Sequence, residues 1–123
     1  MSGLTAKVDL FEFNEEQLRA ILEEGGNELK KKVDGKAKEM LQGPYTGKFE
    51  TSVLTASMMK QITFTDDGGE AVITFEGTQH GNRNSEVAFV NEYGTKRQPA
   101  RPFMWEATAD VDSDKIVEKY LKI

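Results

Sequence analysis

The sequence predicts an α+β fold: a small antiparallel sheet with a long N-terminal helix and a C-terminal helix packed on one face. Three observations predict it: a helix with complete start chemistry begins at Asn14, two alternating segments flank the turn sequence 66–69, and a second helical pattern begins at Pro102. Helical and strand segments in this order are typical of α+β domains. The 123 residues are expected to form one domain, residues 1–123.

The N-terminal part predicts a strand followed by a long helix. Residues 6–13 predict a short strand whose apolar face changes partway, which indicates a bulge or burial on both faces. Asn14 is the expected helix cap, and Gln17 stands at the capping-box position. The apolar positions then recur every three or four residues, as in a helix with one buried face. They are Leu18, Ile21, Leu22, Leu29, Val33, Ala37, Met40 and Leu41. Gly25-Gly26 interrupts the pattern, which indicates either a kink or close packing of another backbone.

The middle of the chain predicts a hairpin, a loop and a further strand. Segments 58–65 and 70–76 alternate between apolar and polar residues, and Asp66-Asp67-Gly68-Gly69 between them is a turn sequence, so we expect a β-hairpin. The polar segment Thr78–Ser85 predicts a mobile loop. Val87–Asn91 is predicted to be a third strand of the sheet.

The segment that follows is the most informative part of the chain. Gly94 can adopt positive φ, so a strand can end and turn there. Pro99 and Pro102 restrict the residues before them to extended conformations, and Pro102 suits the first position of a helix. Phe103 is expected in the core, whereas Trp105 fits either the core or an interface. A stiffened loop that leads into an aromatic-anchored helix is predicted to serve docking rather than chemistry.

A small basic cluster accompanies this loop. Lys96, Arg97 and Arg101 lie within it, and Arg83 is a further candidate member. Two interpretations remain open: an exposed solubilising loop, or a contact with an acidic surface of a partner, including a neighbouring copy of the chain. The flanking prolines and aromatic residues reduce flexibility that a simple linker would keep.

Composition excludes several classes of protein. The chain has no cysteine, which excludes a disulfide framework and thiol chemistry. Its formal net charge of −5 argues against tight nucleic-acid binding as the main task, because such binding relies on clustered cations. No apolar run is long enough to cross a bilayer. The N-terminal residues do not resemble a secretory signal, so we expect a protein made and used inside a cell.

Three segments resemble reactive or metal-binding motifs but depart from them. Gly43–Phe49 has three residues between its glycines, where a phosphate-binding loop needs four, and Phe49 stands where Ser or Thr is required. His80, the only histidine, lies in a polar segment, and we interpret it as a solvated loop residue. Asp110–Asp114 resembles the start of a calcium loop, but Lys115 occupies the glycine position. It is interpreted as a solvated helix face or a cap, and Ser113 could instead cap a second short helix.

We therefore predict no catalytic, cofactor or metal site, and a protein that is not an enzyme. An enzyme that uses His80 is the most remote alternative.

The residues after the third predicted strand also resemble a known signature. Glu92-Tyr93-Gly94-Thr95, followed by Pro99–Met104 and Ala107, resembles the pattern E-[FYH]-G-T … P-A-x-P-F-[LM]-x-x-A of a tailed-bacteriophage family. The family comprises head–tail joining, or tail-completion, proteins of the phage neck, similar to the minor tail protein Z type. The order of elements matches over nearly the whole chain.

A second landmark of the family follows its long first helix, where a proline usually precedes T-G-x-L-R-x-S-[IV]. This chain has Pro44 and then the turn residues Thr46 and Gly47, followed further on by Ser-Val. It departs from the pattern at Phe49, which replaces Leu, and at Glu50, which replaces Arg. It also has one residue fewer between Pro44 and Thr46.

The resemblance implies a structural virion protein that forms a homo-oligomeric ring at the head–tail junction, in the neck or tail, and is assembled in the host cytoplasm. DNA would pass through the ring with only transient, non-specific contact. The implied partners are further copies of the chain, the connector or head-closure protein, and tail-tube or tail-terminator proteins, without a membrane. The candidate interface residues are Tyr93, Gly94, Thr95, Lys96, Arg97, Pro99, Arg101, Pro102, Phe103 and Trp105. The alternative is a small DNA-binding or nuclease accessory protein that uses the basic loop.

Overall fold

A computed structural model describes residues 3–9, 14–41, 49–65 and 68–121. The α+β prediction is confirmed, with helices packed on one face of a small antiparallel sheet. The helices are α1 (Glu15–Met40), α2 (Thr51–Ala56), α3 (Asn84–Tyr93), α4 (Phe103–Ala109) and α5 (Ser113–Leu121). The strands are β1 (Gly3–Asp9), β2 (Met58–Thr65), β3 (Gly68–Phe75), β4 (Thr78–Gln79) and β5 (Asn82–Arg83).

The main sheet has the strand order β1-β3-β2, and both pairs are antiparallel. The predicted hairpin is confirmed: Met58 pairs with Phe75 at its base and Thr65 with Gly68 at its tip. Gly68 therefore lies in the strand rather than in the turn, and residues 66–67 are outside the described part of the chain. The third strand is β1, which pairs with β3 from Gly3 opposite Thr74 onward.

Helix α1 starts as the sequence predicts. The Asn14 side chain accepts a hydrogen bond from the Gln17 backbone N–H at 2.8 Å, and the Gln17 side chain accepts one from the Asn14 N–H at 3.1 Å. This reciprocal capping box satisfies two backbone donors that would otherwise lack partners. The predicted apolar face is buried except at Met40, which is partly exposed. The predicted change of face in the first strand falls on residues 10–13, outside the described residues.

The two adjacent glycines of α1 serve different purposes, and the helix continues through both. A Cβ at Gly25 would have no atom within 4 Å, whereas one at Gly26 would lie 2.7 Å from Lys60 Cδ and 3.2 Å from Ala71 Cβ. Gly26 is tightly packed, but the close approach of another backbone, the second of the two alternatives, is wrong. The neighbours are side chains of the sheet rather than another backbone.

We expect Gly25→Ala and Gly26→Ala to change stability in opposite directions. Alanine at position 25 should raise the free energy of unfolding by about 1 kcal/mol, because it improves helix propensity without a clash. Alanine at position 26 should lower it by about 1–2 kcal/mol, because Lys60 would have to give up its bonds to Glu23 and Asn27. Urea denaturation followed by circular dichroism measures both. Equal effects of the two substitutions would contradict this packing.

The core lies between α1, α4 and the inner face of the sheet. Its buried side chains come from α1 and the residue after it, from α2, from strands β2 and β3, and from α3 and α4. One continuous apolar cluster therefore joins the helices to the sheet. The buried members are Leu29, Val33, Ala37, Leu41, Leu54, Met58, Ile73, Phe75, Ala88, Phe103, Met104 and Ala107. In the described part of the chain, no helix is long and apolar enough to pass through a lipid bilayer.

The prediction of a mobile loop at 78–85 is wrong. Strands β4 and β5 form a small hairpin there, and the amide side chains of Gln79 in β4 and Asn84 at the start of α3 are buried. Gln79 accepts a bond from the Glu50 N–H at 2.7 Å and donates one to Asn84 at 2.7 Å, while Asn84 donates to the Glu76 carbonyl at 2.8 Å. Buried amides are stable when their hydrogen bonds are satisfied, so this polar segment is a structural part of the core edge.

The prediction of a strand at Val87–Asn91 is also wrong, because these residues lie inside α3. The buried positions of α3 are three or four residues apart, which is helical spacing. They are Asn84, Ala88, Asn91 and Glu92. Three of the four are polar, and two aromatic side chains of the same helix face solvent. The sequence pattern therefore hid the helix, since its buried face is mostly polar.

The C-terminal segment forms two helices, which is the second of the two alternatives considered. Asp112 accepts a hydrogen bond from the Lys115 N–H at 3.1 Å, so Asp112 caps α5, whereas Ser113, the predicted cap, is its first residue. Asp110 lies 3.4 Å from Lys36 and raises the pKa of that lysine by its charge. The Tyr120 hydroxyl donates to Glu24 at 3.2 Å, so α5 packs along α1.

Candidate functional site

The corner between α3 and α4 is built around Gly94, which ends α3. Its N–H donates to the Val90 carbonyl at 2.8 Å, and its φ of 76° and ψ of 176° lie in a region that only glycine adopts readily. A Cβ at this position would lie 2.6 Å from the Ala100 nitrogen. The predicted positive φ at Gly94 is confirmed, but it ends a helix rather than a strand.

Glu92 joins the two helices of the corner. It is buried, and its two carboxylate oxygens accept hydrogen bonds from the backbone N–H groups of Met104 at 2.8 Å and Trp105 at 3.1 Å. Pro102 occupies the cap position of α4, one residue earlier than predicted, and supplies no capping side chain. Glu92 therefore caps α4 from another helix, where the positive end of the helix dipole favours a carboxylate.

Burial raises the pKa of Glu92, and the nearby charge of Glu106 raises it further, while the two backbone hydrogen bonds act in the opposite direction. A carboxylate removed from water is costly in its charged form, so desolvation outweighs the hydrogen bonds here.

We expect this pKa shift to make folding stability depend on pH. Because the pKa of Glu92 is higher in the folded state, its contribution to stability is fully present below the ordinary glutamate pKa of about 4.3 and is lost as pH rises through the folded-state pKa. Urea denaturation across this pH range should show a decline in wild type relative to Glu92→Gln. Wild-type stability that stays constant or rises with pH relative to that of Glu92→Gln would contradict this expectation.

The loop between the helices is rigid because its backbone is hydrogen-bonded internally. The Thr95 hydroxyl accepts bonds from the N–H groups of Arg97 at 3.1 Å and Gln98 at 3.2 Å, and the Thr95 N–H donates to the Gln98 carbonyl at 2.9 Å. The Arg101 N–H donates to the Asn91 carbonyl at 2.7 Å. The predicted stiffness of the loop thus comes from these bonds as well as from proline.

The structure divides the predicted basic cluster. The partly buried Arg101 donates to Asn91 Oδ1 at 2.5 Å and to the Met40 carbonyl at 3.5 Å, so it fastens the corner to the end of α1. Arg83, the last residue of β5, forms an ion pair with Glu86 in the first turn of α3. Lys96 and Arg97 are exposed, and their side chains contact no charged group among the described residues. Of the four predicted cations, Lys96 and Arg97 are thus the two that are exposed and have no charged neighbour among the described residues.

Three aromatic side chains near this loop are exposed. Phe89 and Tyr93 lie one turn apart on α3, 50% and 68% exposed, with ring centroids 4.7 Å apart. Trp105 on α4 is 67% exposed, and its backbone is bonded to Glu92, the neighbour of Tyr93. We name these three residues the aromatic patch. Phe103, in contrast, is completely buried, so the core role expected for it is confirmed, and as an interface candidate it is inaccessible in this fold.

The remaining chemical candidates do not form a reactive arrangement. His80 is half exposed and lies 3.7 Å from Glu50, which is solvent-exposed as well. No group of three or more potential metal-binding residues occurs in the described ranges. The turn residues Pro44, Thr46 and Gly47, and the segment that resembles a phosphate loop up to Lys48, lie outside those ranges.

Sequence reasoning missed the capping role of Glu92 and the bond between Asn91 and Arg101. One signal was present: the start of α4, Ala-Arg-Pro-Phe, contains no Ser, Thr, Asp or Asn to cap it, so an acceptor had to come from elsewhere. Comparisons with models of known protein families, with curated proteins and with solved structures found no match, so the family resemblance stays a prediction from the sequence.

Proposed function

We propose that this chain is a structural virion protein of a tailed bacteriophage, a tail-completion or neck protein that assembles into a homo-oligomeric ring through which DNA passes. It acts by binding, in the virion, to further copies of itself and to the connector or tail proteins above and below. It carries out no chemical reaction.

One observation carries this proposal: the residues of the phage signature form a single rigid unit. Glu92 caps the helix that begins at Phe103, Gly94 provides the backbone turn between them, and Thr95 closes the loop. These positions are spread over twelve residues of the chain, yet each residue has a structural role in the same corner between α3 and α4. A motif whose residues contact one another in the fold supports the family resemblance better than a motif whose residues have unrelated positions.

The exposed side chains support a role in assembly. Large aromatic residues are usually buried, and a cluster of exposed ones on a rigid support is typical of protein interfaces. Tyr and Trp are also the residues that most often dominate binding energy. The aromatic patch lies on the corner that the signature residues build, so the structural role of the signature and the surface available for docking coincide.

The proposal is tested by the double substitution Tyr93→Ala and Trp105→Ala. Sedimentation velocity and negative-stain electron microscopy of wild type, alone and with the connector and tail-tube proteins of its own phage, should show rings. The double variant should weaken assembly by about tenfold or more. Met59→Ala, which removes another exposed apolar side chain on β2, is the control. A wild type that stays monomeric with all these partners present would contradict the proposal.

A DNA-binding accessory protein is the second candidate, and the outward-facing Lys96 and Arg97 beside aromatic side chains are the observation in its favour. Arg101 and Arg83 contribute less than expected, because their guanidinium groups are bonded within the protein. This candidate predicts salt-sensitive binding to duplex DNA that falls when Lys96 and Arg97 are replaced by alanine. Absence of binding at low salt would remove it.

A further inference from the structure

We infer that the aromatic patch, together with Lys96 and Arg97, docks onto the opposite, acidic end of a second copy of this chain. That acidic end consists of Glu15 and Glu16 in the first turn of α1 and Glu118 on α5. The inference rests on the proposed ring and specifies its subunit contact. It commits to one head-to-tail geometry.

The two surfaces lie at opposite ends of the molecule. Arg101 bonds to the Met40 carbonyl, which places the basic loop at the C-terminal end of α1. Gln17 bonds to the Tyr120 carbonyl at 3.4 Å, which places the end of α5 beside the first turn of α1. A helix of 26 residues spans about 39 Å, so the two surfaces cannot meet within one copy.

Lys96 and Arg97 on one surface, and Glu15, Glu16 and Glu118 on the other, are among the charged residues that form no ion pair in the described part of the chain. Elsewhere on α1, three lysines are paired: Lys32 with Glu28, Lys36 with Asp110 and Lys38 with Asp34.

Near the acidic end, two cations of the described residues make contacts within the protein. Lys119 bonds to Glu24 at 2.7 Å and lowers the pKa of that carboxyl, and Arg19 lies 4.8 Å above the ring of Phe64. Glu15 and Glu16 pair with no cation in the described part of the chain. Among the described residues, the acidic end therefore keeps an excess of negative charge, opposite in sign to Lys96 and Arg97 at the other end.

Opposite charges at opposite ends favour a contact between different surfaces over a symmetric one. A two-fold dimer through the basic ends would bring Lys96 and Arg97 of both copies together, and like charges disfavour it. A contact between different patches repeats from copy to copy and closes into a ring when the rotation allows. In this arrangement the aromatic patch supplies the buried apolar area and the charges fix the register.

Cross-linking tests the geometry directly, because the chain has no cysteine of its own. The variant that carries both Glu16→Cys and Lys96→Cys is treated with a bifunctional maleimide under the conditions in which wild type assembles. We expect a ladder of covalent oligomers. Each single variant alone is the control and should stay uncross-linked, because identical ends do not meet. A ladder from a single variant, or none from the double variant, would overturn the inference.

Charge reversal tests the energetics. One variant carries Lys96→Glu and Arg97→Glu, and a second carries Glu15→Lys and Glu16→Lys. Each alone should assemble about tenfold or more weaker than wild type, because like charges then face each other. An equimolar mixture should assemble again, since each reversed surface then meets its complement on the other variant.

The outcomes separate this inference from the proposed function. Rings that form undiminished in both charge-reversed variants would overturn the docking geometry and leave the ring itself standing. A wild type that never assembles would overturn both. If Lys96→Glu with Arg97→Glu leaves assembly unchanged but abolishes salt-sensitive DNA binding, the basic loop serves nucleic acid and the inference is wrong.

Discussion

Replacing Gly94 by alanine is expected to destabilise the protein by about 2–6 kcal/mol. The backbone at Gly94 has φ 76° and ψ 176°, and holding any other residue there costs about 1–3 kcal/mol. The added Cβ would also lie 2.6 Å from the Ala100 nitrogen and 3.0 Å from the Pro99 carbonyl carbon. These are backbone atoms of a loop held by its own hydrogen bonds, so relief requires the loop to move, at a further cost of about 1–3 kcal/mol.

Gly81→Ala is the matched control for this experiment. Gly81 also has positive φ, 81°, but a Cβ there would have no atom within 4 Å. It should therefore lose only the conformational part, about 1 kcal/mol. Urea denaturation followed by far-UV circular dichroism measures both variants, and that probe suits a protein whose only tryptophan is already exposed. Equal losses in both variants would show that the Ala100 contact is not as tight as described.

The parts of the fold that the sequence predicted well are those specified by neighbours in the chain. The capping box joins Asn14 to Gln17, three residues away, and the hairpin joins β2 to β3 across a short turn. In both, the residue types that make the structure stand next to one another, so local patterns suffice. The third strand of the sheet could not be assigned in the same way, because β1 meets β3 only after about sixty intervening residues.

Helix α3 was misassigned because its pattern is inverted. Prediction from hydrophobic periodicity assumes that apolar side chains face the core. In α3 the polar side chains of Asn91 and Glu92 are buried, whereas the aromatic side chains of Phe89 and Tyr93 are exposed. The short apolar run Val87–Asn91 then resembles a strand. Places where local rules fail are often functional sites. The reversed pattern of α3 made the strand prediction wrong, and it also exposes Phe89 and Tyr93, the two residues of the aromatic patch that lie on this helix.

The sequence marked the segment between α3 and α4 as the candidate site, but it did not reveal the contacts that hold this corner together. Gly94, the prolines and Trp105 were recognised from the conformational and surface properties of single residues. The capping of α4 by Glu92 needs the relative position of two helices, and the bond from Arg101 to Asn91 needs the folded loop. Such information is absent from any local pattern. Arg101 was therefore grouped with the exposed cations by its charge alone.

The second large effect is expected for Phe103→Ala, which should lower the free energy of unfolding by about 3–5 kcal/mol. Phe103 is fully buried at the start of α4, and its ring meets that of Phe75 edge to face, with centroids 6.3 Å apart. Removing it leaves a cavity between α4 and the sheet, and edge-to-face aromatic contact is lost as well. Since a domain of this size is stable by only about 5–15 kcal/mol, this loss is at least about a fifth of the total free energy of unfolding.

Trp105→Ala is the control two residues along the same helix, and the comparison separates the two roles of the motif. Trp105 is exposed, so its removal should change stability by no more than about 0.5 kcal/mol. Phe103→Leu should fall between the two, because it keeps most of the buried volume. If Trp105→Ala destabilised the isolated chain as strongly as Phe103→Ala, the indole would be part of the core. The exposed side chain of Trp105 would then no longer support an interface there. Unfolding curves of the two variants, by heat or urea, therefore test whether Trp105 is exposed before any partner is added.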